Sequence, residues 1–520
     1  MWRGSPPRFF NRERVVPAGL VLVVGTSCFI ALIAMNGAIG WTVGPIVLVA
    51  ALWLIAVSPI RRTFCVLLFL SLSTDRTGDA SGLWQSPFIN VGALFSFNMS
   101  KVLGIEALKF SGITLTVVLM LVTRLHRMFM GRKVDTEGAI VPAAPLNWAL
   151  GVSFCTVVSL IVWGLINGGD SEMVKIQTQV FLPLLGMAFV LGPAFRGGRD
   201  YRTLAKVVLA AACCKAVMAL WARHVLPDAL PDTWGIMREV EYATSHGDSL
   251  LFACACLILI VPMFFKPTRR HLMWLVLIGP LIVAGMLAND RRLAWVELAI
   301  GLALLVLMNP GNWITRRMFE LAKWGAPILV LYVGVGWFSA SRVFQPVKFA
   351  RSIVVATRSD GTIDRSTLFR DVENFNLIYT FQASPIIGTG FGHRFVAAAV
   401  NDDLSGFKEY PFLPHNSLLG LMAFCGGLGV VGLLMPLVVA LFCAARAEFM
   451  NPTPDQAMAA AVAIGNICAY LMHLWGDIGF TEPTSIFTVG ASLAIAGQVA
   501  VSTGAWRVGR AARQPVGTHR

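Results

Sequence analysis

The residues best suited to chemistry sit where apolar sequence meets polar sequence. His415 follows Pro414 and opens His415-Asn416-Ser417-Leu418-Leu419, from which an apolar run continues. An imidazole at a water boundary is the side chain best poised near neutral pH to take a proton from a hydroxyl. The competing reading is an interface histidine with no chemical role. A second polar interruption, Asn289-Asp290-Arg291-Arg292-Leu293-Ala294-Trp295, parts two apolar segments with almost no room for a loop. Paired arginines there need an anionic partner, either a ligand or the nearby Asp290 or Glu297. In the polar segment 341–414, Arg342, Lys348, Arg351, Arg358, Arg365, Arg370, Arg394 and Lys408 nearly balance Asp360, Asp364, Asp371, Glu373, Asp402, Asp403 and Glu409. An anion site there must rest on a few arginines in fixed geometry, because a guanidinium fork matches phosphate oxygens bidentately. Arg370 is the favoured candidate, with Arg365 beside it. Arg238, in a polar loop with Glu239, Glu241, His246 and Asp248, is a further candidate ligand without a recognisable spacing. His473-Leu474-Trp475-Gly476-Asp477, with Glu482, reads as ordinary helix-end polarity.

The elements that must position these residues are membrane helices. Of the 520 residues 56% are hydrophobic and 13% charged, and mean hydropathy is +0.70; soluble domains carry about 25% charge. Apolar segments fall near 17–36, 41–58, 63–72, 102–123, 147–166, 176–193, 203–222, 249–265, 272–288, 293–308, 321–340, 416–445, 457–475 and 485–502. The expectation is an all-α polytopic membrane protein of about 14 transmembrane helices (12–14), forming a single domain over 1–520. The third segment is short enough to be re-entrant or tilted. Continuous rather than alternating runs exclude a β-barrel. The net charge of +14 is mostly topology and not a nucleic-acid footprint. Basic clusters such as Arg61-Arg62, Arg196/Arg199/Arg202, Lys266/Arg269/Arg270 and Arg316-Arg317 follow every second apolar segment. Both termini are then cytoplasmic, and 341–414 is one large loop on the outer side. The cysteines lie in apolar stretches without CxxC spacing, so no zinc site or disulfide framework is indicated. The metal spacings and nucleotide-loop motifs that would announce a cofactor are also missing, so none is expected.

Three elements together resemble the O-antigen ligase and polymerase-like membrane proteins. Pro414-His415-Asn416-Ser417-Leu418-Leu419, with Gly426 and Gly429 after it, is similar to the family's His-Asn-x-x-Leu and Gly-x-x-Gly elements. Asp290-Arg291-Arg292-Leu293-Ala294-Trp295 is similar to its Ser-Arg-Gly-Ala-Trp-like turn, with Arg292 on the arginine position. Arg370 followed by Pro385-Ile386-Ile387-Gly388-Thr389-Gly390-Phe391-Gly392 is similar to the Arg…Pro-Leu-x-Gly-x-Gly element of the large loop. The resemblance covers roughly 275–435. The departures are Phe424 where the family often has Glu, Asn374 where it often has Trp, and Arg291 in place of Ser.

The resemblance implies a GT-C-like architecture in a bacterial inner membrane. It implies transfer of a glycan from an undecaprenyl-diphosphate carrier to a hydroxyl of a glycan or lipid A-core acceptor. In that scheme His415 is the general base, Arg292 and Arg370 stabilise the departing diphosphate, and Arg291, Arg238, Asn416 and Arg365 bind substrate. The reaction is expected to be metal-independent and inverting. Ligase and polymerase chemistry are not separated by these residues. The alternative is a transporter or flippase of lipid-linked saccharides, which would predict repeated halves with broken helices near the midplane.

Overall fold

Inside lipid a backbone must satisfy its own hydrogen bonds, so apolar runs of this length have to be helical. The computed structural model describes residues 57–74, 111–131, 135, 138–225, 243–309, 311, 313–339, 341–344, 347, 351, 365–400, 409–479 and 483–507. Their α-helices, in chain order, are α1 (Ile60–Ser73), α2 (Gly112–Phe129), α3 (Ala144–Ile166), α4 (Ser171–Thr178), α5 (Phe181–Leu191), α6 (Gly198–His224) and α7 (Asp248–Phe265). They continue with α8 (Arg269–Asn289), α9 (Arg292–Met308), α10 (Trp313–Phe338), α11 (Arg365–Ala383), α12 (Ser417–Glu448), α13 (Pro454–Gly476) and α14 (Pro483–Ser502).

Eight of these helices are long and apolar enough to cross a membrane, or nine if α4 and α5, bent by 41°, make one span. The fourteen expected spans are not reached among the described residues. The segment 17–36 and most of 41–58 lie outside them. The segment 63–72 is the 14-residue α1. The segment 293–308 is the 17-residue α9, about 25 Å long against an apolar bilayer core of about 30 Å. The segment 321–340 contributes only the shorter apolar stretch Lys323–Phe338.

The centre of the bundle is α14, 94% buried over its apolar window, with α7 and α13 packed against it. α12 packs on α3, α13 and α14, and α11 lies across α12. At 32 residues α12 is about 48 Å long, more than the membrane requires. It is broken at Gly426, whose φ of 61° and ψ of −179° are open only to glycine. The piece 417–425 is thereby set off from the membrane-length remainder.

What enters the break is the segment after α11. Gly427 N–H donates to the Pro385 carbonyl at 2.8 Å and Leu428 N–H to Ile386 at 3.1 Å. In return Gly390 N–H donates to the Phe424 carbonyl at 2.8 Å. On its other side this strap crosses the end of α3, where Phe391 N–H donates to Leu160 at 3.3 Å and Asp170 N–H to Gly392 at 2.9 Å. A Cβ on Gly164 would overlap the Phe391 carbonyl, and one on Gly390 would meet the Gly164 backbone. Further along, Gly432 of α12 rests on Thr156 of α3 and Gly429 on Leu160, the close helix packing its small residues predict.

The two ends of the bundle differ in chemistry. One carries Arg196 and Lys266 in short connections and Arg61, Arg62, Arg199, Arg202, Arg269 and Arg270 at the starts of α1, α6 and α8. There Arg127 pairs with Asp135 at 2.7 Å, and Asp135 also accepts the Ile60 N–H at the start of α1. The other end collects residues 243–248, 289–292, the 384–400 strap and 409–417.

Gly164→Ala should lower the unfolding midpoint in detergent through overpacking that costs about 1–3 kcal/mol. Gly151→Ala in the same helix, where a Cβ meets nothing within 4 Å, should not. Equal midpoints for the two variants would show that the strap does not depend on that close approach.

Candidate active site

His415 is positioned by a carboxylate that is itself fully buried. Glu373, at 0% exposure on α11, accepts the His415 backbone N–H at 3.1 and 3.2 Å through its two oxygens. It also meets the ring Nδ1 at 3.2 Å. A carboxylate can only accept, so Nδ1 carries a hydrogen, and in the neutral imidazole the lone pair is then on Nε2. Nε2 has no protein hydrogen bond among the described residues, and the side chain is 29% exposed. Phe369, one turn before Glu373, stands edge-on to the imidazole at 5.6 Å, and Tyr410 lies at 6.3 Å. A histidine with one nitrogen held by a buried acid and the other open can take a proton from a hydroxyl.

The connection that carries His415 is fixed from several sides. Gln177 of α4 donates to the Phe412 carbonyl at 2.8 Å and accepts the Gly392 N–H at 2.6 Å, tying the strap to the turn before His415. Asn376 clamps Ala399 with two hydrogen bonds of 2.8 and 2.9 Å, and Thr380 accepts the Val396 N–H at 2.8 Å. Asn416 caps α12, its side-chain oxygen accepting the Leu419 N–H at 3.0 Å.

Beside this lies a layer of buried polar groups. The Ser417 hydroxyl donates to the Asp477 carbonyl at 2.9 Å, joining the first turn of α12 to the end of α13. The Asp477 carboxylate takes a short hydrogen bond from His246 Nδ1. Arg291 Nη1 lies 2.7 Å from His246 Nδ1 and 3.0 Å from Nε2, so the guanidinium stands against the ring that meets Asp477. Burial works against ionisation of Asp477, but the charge and hydrogen bond of His246 and the charges of His473 and Arg291 outweigh it. Its carboxyl is thus held well below the usual range. Nearby, His473 Nδ1 meets Glu297 at 2.8 Å with both side chains buried, and Lys215 meets Asp248 at 3.1 Å. Arg223 lies 3.5 Å from Asp290, and Asn289 accepts the Thr244 N–H at 3.0 Å.

Of the expected site residues, His415, Arg291 and Asn416 are brought to one end and linked through Ser417 and Asp477. Arg291 is 7% exposed and meets its acid through His246; it is the arginine built into the protein. Arg292, in the first turn of α9, is exposed. Arg370 is exposed on α11, three residues before Glu373 and so on a neighbouring face. Arg365 begins α11. Arg238 and the Asp402-Asp403 pair lie outside the described residues.

Sequence reasoning passed over Glu373, His246 and Asp477. A signal existed for Glu373: Phe369 and Leu377 flank it at four residues on either side, which puts an acid on the buried stripe of a helix. No comparable signal existed for His246 and Asp477, which meet across 231 residues of chain.

Because the folded Asp477 carboxyl titrates below its unfolded one, its contribution is complete at neutral pH. It is lost only as pH falls below the ordinary aspartate range of about 3.9. Asp477→Asn should therefore cost about 3–5 kcal/mol at pH 7 by removing the buried negative charge beside His246 and Arg291. Thermal unfolding of variant and wild type should converge at strongly acidic pH; a constant gap would assign the loss to packing instead.

No protein-family model matches this chain, and a search of curated proteins likewise returns no match.

Proposed function

We propose that the chain is a membrane glycosyltransferase of the O-antigen ligase or polymerase-like kind. It would move a glycan from an undecaprenyl-diphosphate carrier to an acceptor hydroxyl. The observation that carries this reading is His415, its Nδ1 held by the buried Glu373 and its Nε2 open, at the end of the bundle where Arg292 and Arg370 are exposed.

In the proposed reaction the acceptor hydroxyl gives its proton to His415 Nε2, and its oxygen attacks the anomeric carbon of the donor. The bond from that carbon to the diphosphate oxygen breaks, and its electron pair leaves with the lipid diphosphate. Arg292 and Arg370 would carry the charge that develops there. Glu373 would offset the charge on the imidazolium and hold the ring in place. Direct displacement inverts the anomeric centre. Arg291, engaged with His246 and Asp477, would act by positioning the α8–α9 turn, and Asn416 by capping the helix behind His415.

Orientation follows from charge. If the basic end faces the cytoplasm of a bacterial inner membrane, both termini are cytoplasmic and the His415 end is on the periplasmic side. The acceptor is then a growing glycan or a lipid A-core, both of which present hydroxyls there.

The test is glycan transfer in proteoliposomes with a lipid-linked donor. His415→Ala should lower the rate by roughly 10²–10⁴-fold. Glu373→Gln should lower kcat less than His415→Ala and leave KM nearly unchanged, because it disturbs ring orientation and not binding. Arg370→Ala should slow transfer, with the loss in kcat rather than KM. Full turnover by His415→Ala would overturn the general base. Transfer retained with translocation lost would turn the reading toward a flippase.

A further inference from the structure

At the basic end, far from His415, the bundle holds a cavity of about 400 Å³ between α6, α7, α13 and α14. That volume falls in the range of small-ligand sites, about 300–1,000 Å³. Its walls are apolar, with Leu204, Leu209, Ile258, Val462, Phe487 and Ile495 among them. Its mouth is cationic. Arg202 and Lys206 come from the first turns of α6, Lys266 from the turn between α7 and α8, and Arg270 from the first turn of α8. Arg202 is paired with Asp455 at 3.4 Å, but no ion pair engages Lys206, Lys266 or Arg270 among the described residues. Trp274 lines the same cavity, a residue type that favours the interface between lipid and water.

We propose that this cavity binds one anionic phospholipid, the phosphate at Lys206, Lys266 and Arg270 and an acyl chain between α7, α13 and α14. Depth supports the second half of that statement. The cavity reaches Cys254, and from Lys266 back to Cys254 is about 18 Å of helix, close to one leaflet's share of a core about 30 Å thick. A free phosphate ion would use the cations and leave the apolar depth unexplained. A neutral lipid would use the depth and leave the three cations at the mouth without an anion. An anionic lipid uses both. The site is independent of the chemistry proposed for His415, since the two lie at opposite ends of the bundle.

The experiment is native mass spectrometry of the full-length protein, stripped of lipid in neutral detergent and titrated with phosphatidylglycerol or phosphatidylcholine. Wild type should retain one phosphatidylglycerol in clear preference to phosphatidylcholine. Each cation near a membrane surface contributes about fivefold, the equivalent of ~1 kcal/mol. The double variant Lys206→Gln/Lys266→Gln should therefore weaken phosphatidylglycerol roughly 25-fold and leave phosphatidylcholine unchanged. Both positions are exposed, so the fold is not at stake. Ile258→Trp, which fills the cavity, should weaken both lipids. Equal retention of the two lipids by wild type, or an unaltered preference in the double variant, would overturn the proposal. So would displacement of phosphatidylglycerol by excess inorganic phosphate, which would mark an anion site without a lipid.

Discussion

The arrangement depends on a contact made by backbone alone. Where the strap after α11 passes between the end of α3 and the break in α12, Gly164, Gly390 and Gly426 leave no room for a single Cβ. Removing side chains lets three chain segments approach to hydrogen-bonding distance, so the carbonyls and N–H groups freed by the helix break are taken up by the strap. Helix α11 is tethered by that contact, and with it Glu373. A polar segment of balanced charge would otherwise have little reason to adopt one position, because exposed ion pairs contribute little.

Glu373 and His415 then constrain each other. An acid removed from water needs its hydrogen bonds, and this one receives them from the His415 ring and the His415 backbone. The histidine for its part has its ring orientation set by an acid it cannot leave without exposing a buried charge. Gln177 and Asn416 hold the chain on either side, so the open nitrogen faces outward by construction. The arginine turn is organised on the same principle: Arg291 is consumed by an internal network through His246 and Asp477, while the adjacent Arg292 remains exposed.

Much of this was legible in the chain. Apolar runs gave the helices, the polar interruption gave His415 its boundary position, and the glycines of α12 forecast close packing. The count of spans was less legible, because hydropathy does not separate a helix that crosses from a 14- or 17-residue helix that stops short. The role of Gly388 and Gly390 was hidden as well. A glycine pair in a loop reads as a turn or a ligand cradle, and only its neighbours show that it is a place where backbones touch. Partners of the buried acids were hidden for a related reason: periodicity reports that Glu373 is on an inward stripe but not what waits there.

The depth of the buried charges bears on what kind of protein this is. A transporter of lipid-linked sugars would be expected to place its polar groups near the midplane, at broken helices of paired halves. Here Glu297 lies five residues into α9, about 8 Å from its end, and His473 three residues from the end of α13, about 5 Å. Asp248 is the first residue of α7, and its partner Lys215 lies about 14 Å from the end of α6, a helix of 27 residues that overreaches the apolar core. The one helix break that the polar segment enters, at Gly426, is nine residues into α12, about 14 Å along a helix that is itself some 18 Å longer than that core. All of these sit toward the His415 end, and α14, which runs through the centre, offers mainly Thr488, Ser492 and Gln498, whose polar atoms are engaged within the bundle. The charged groups, unlike these central hydroxyls and amides, are placed where a substrate presented at the membrane boundary would meet them.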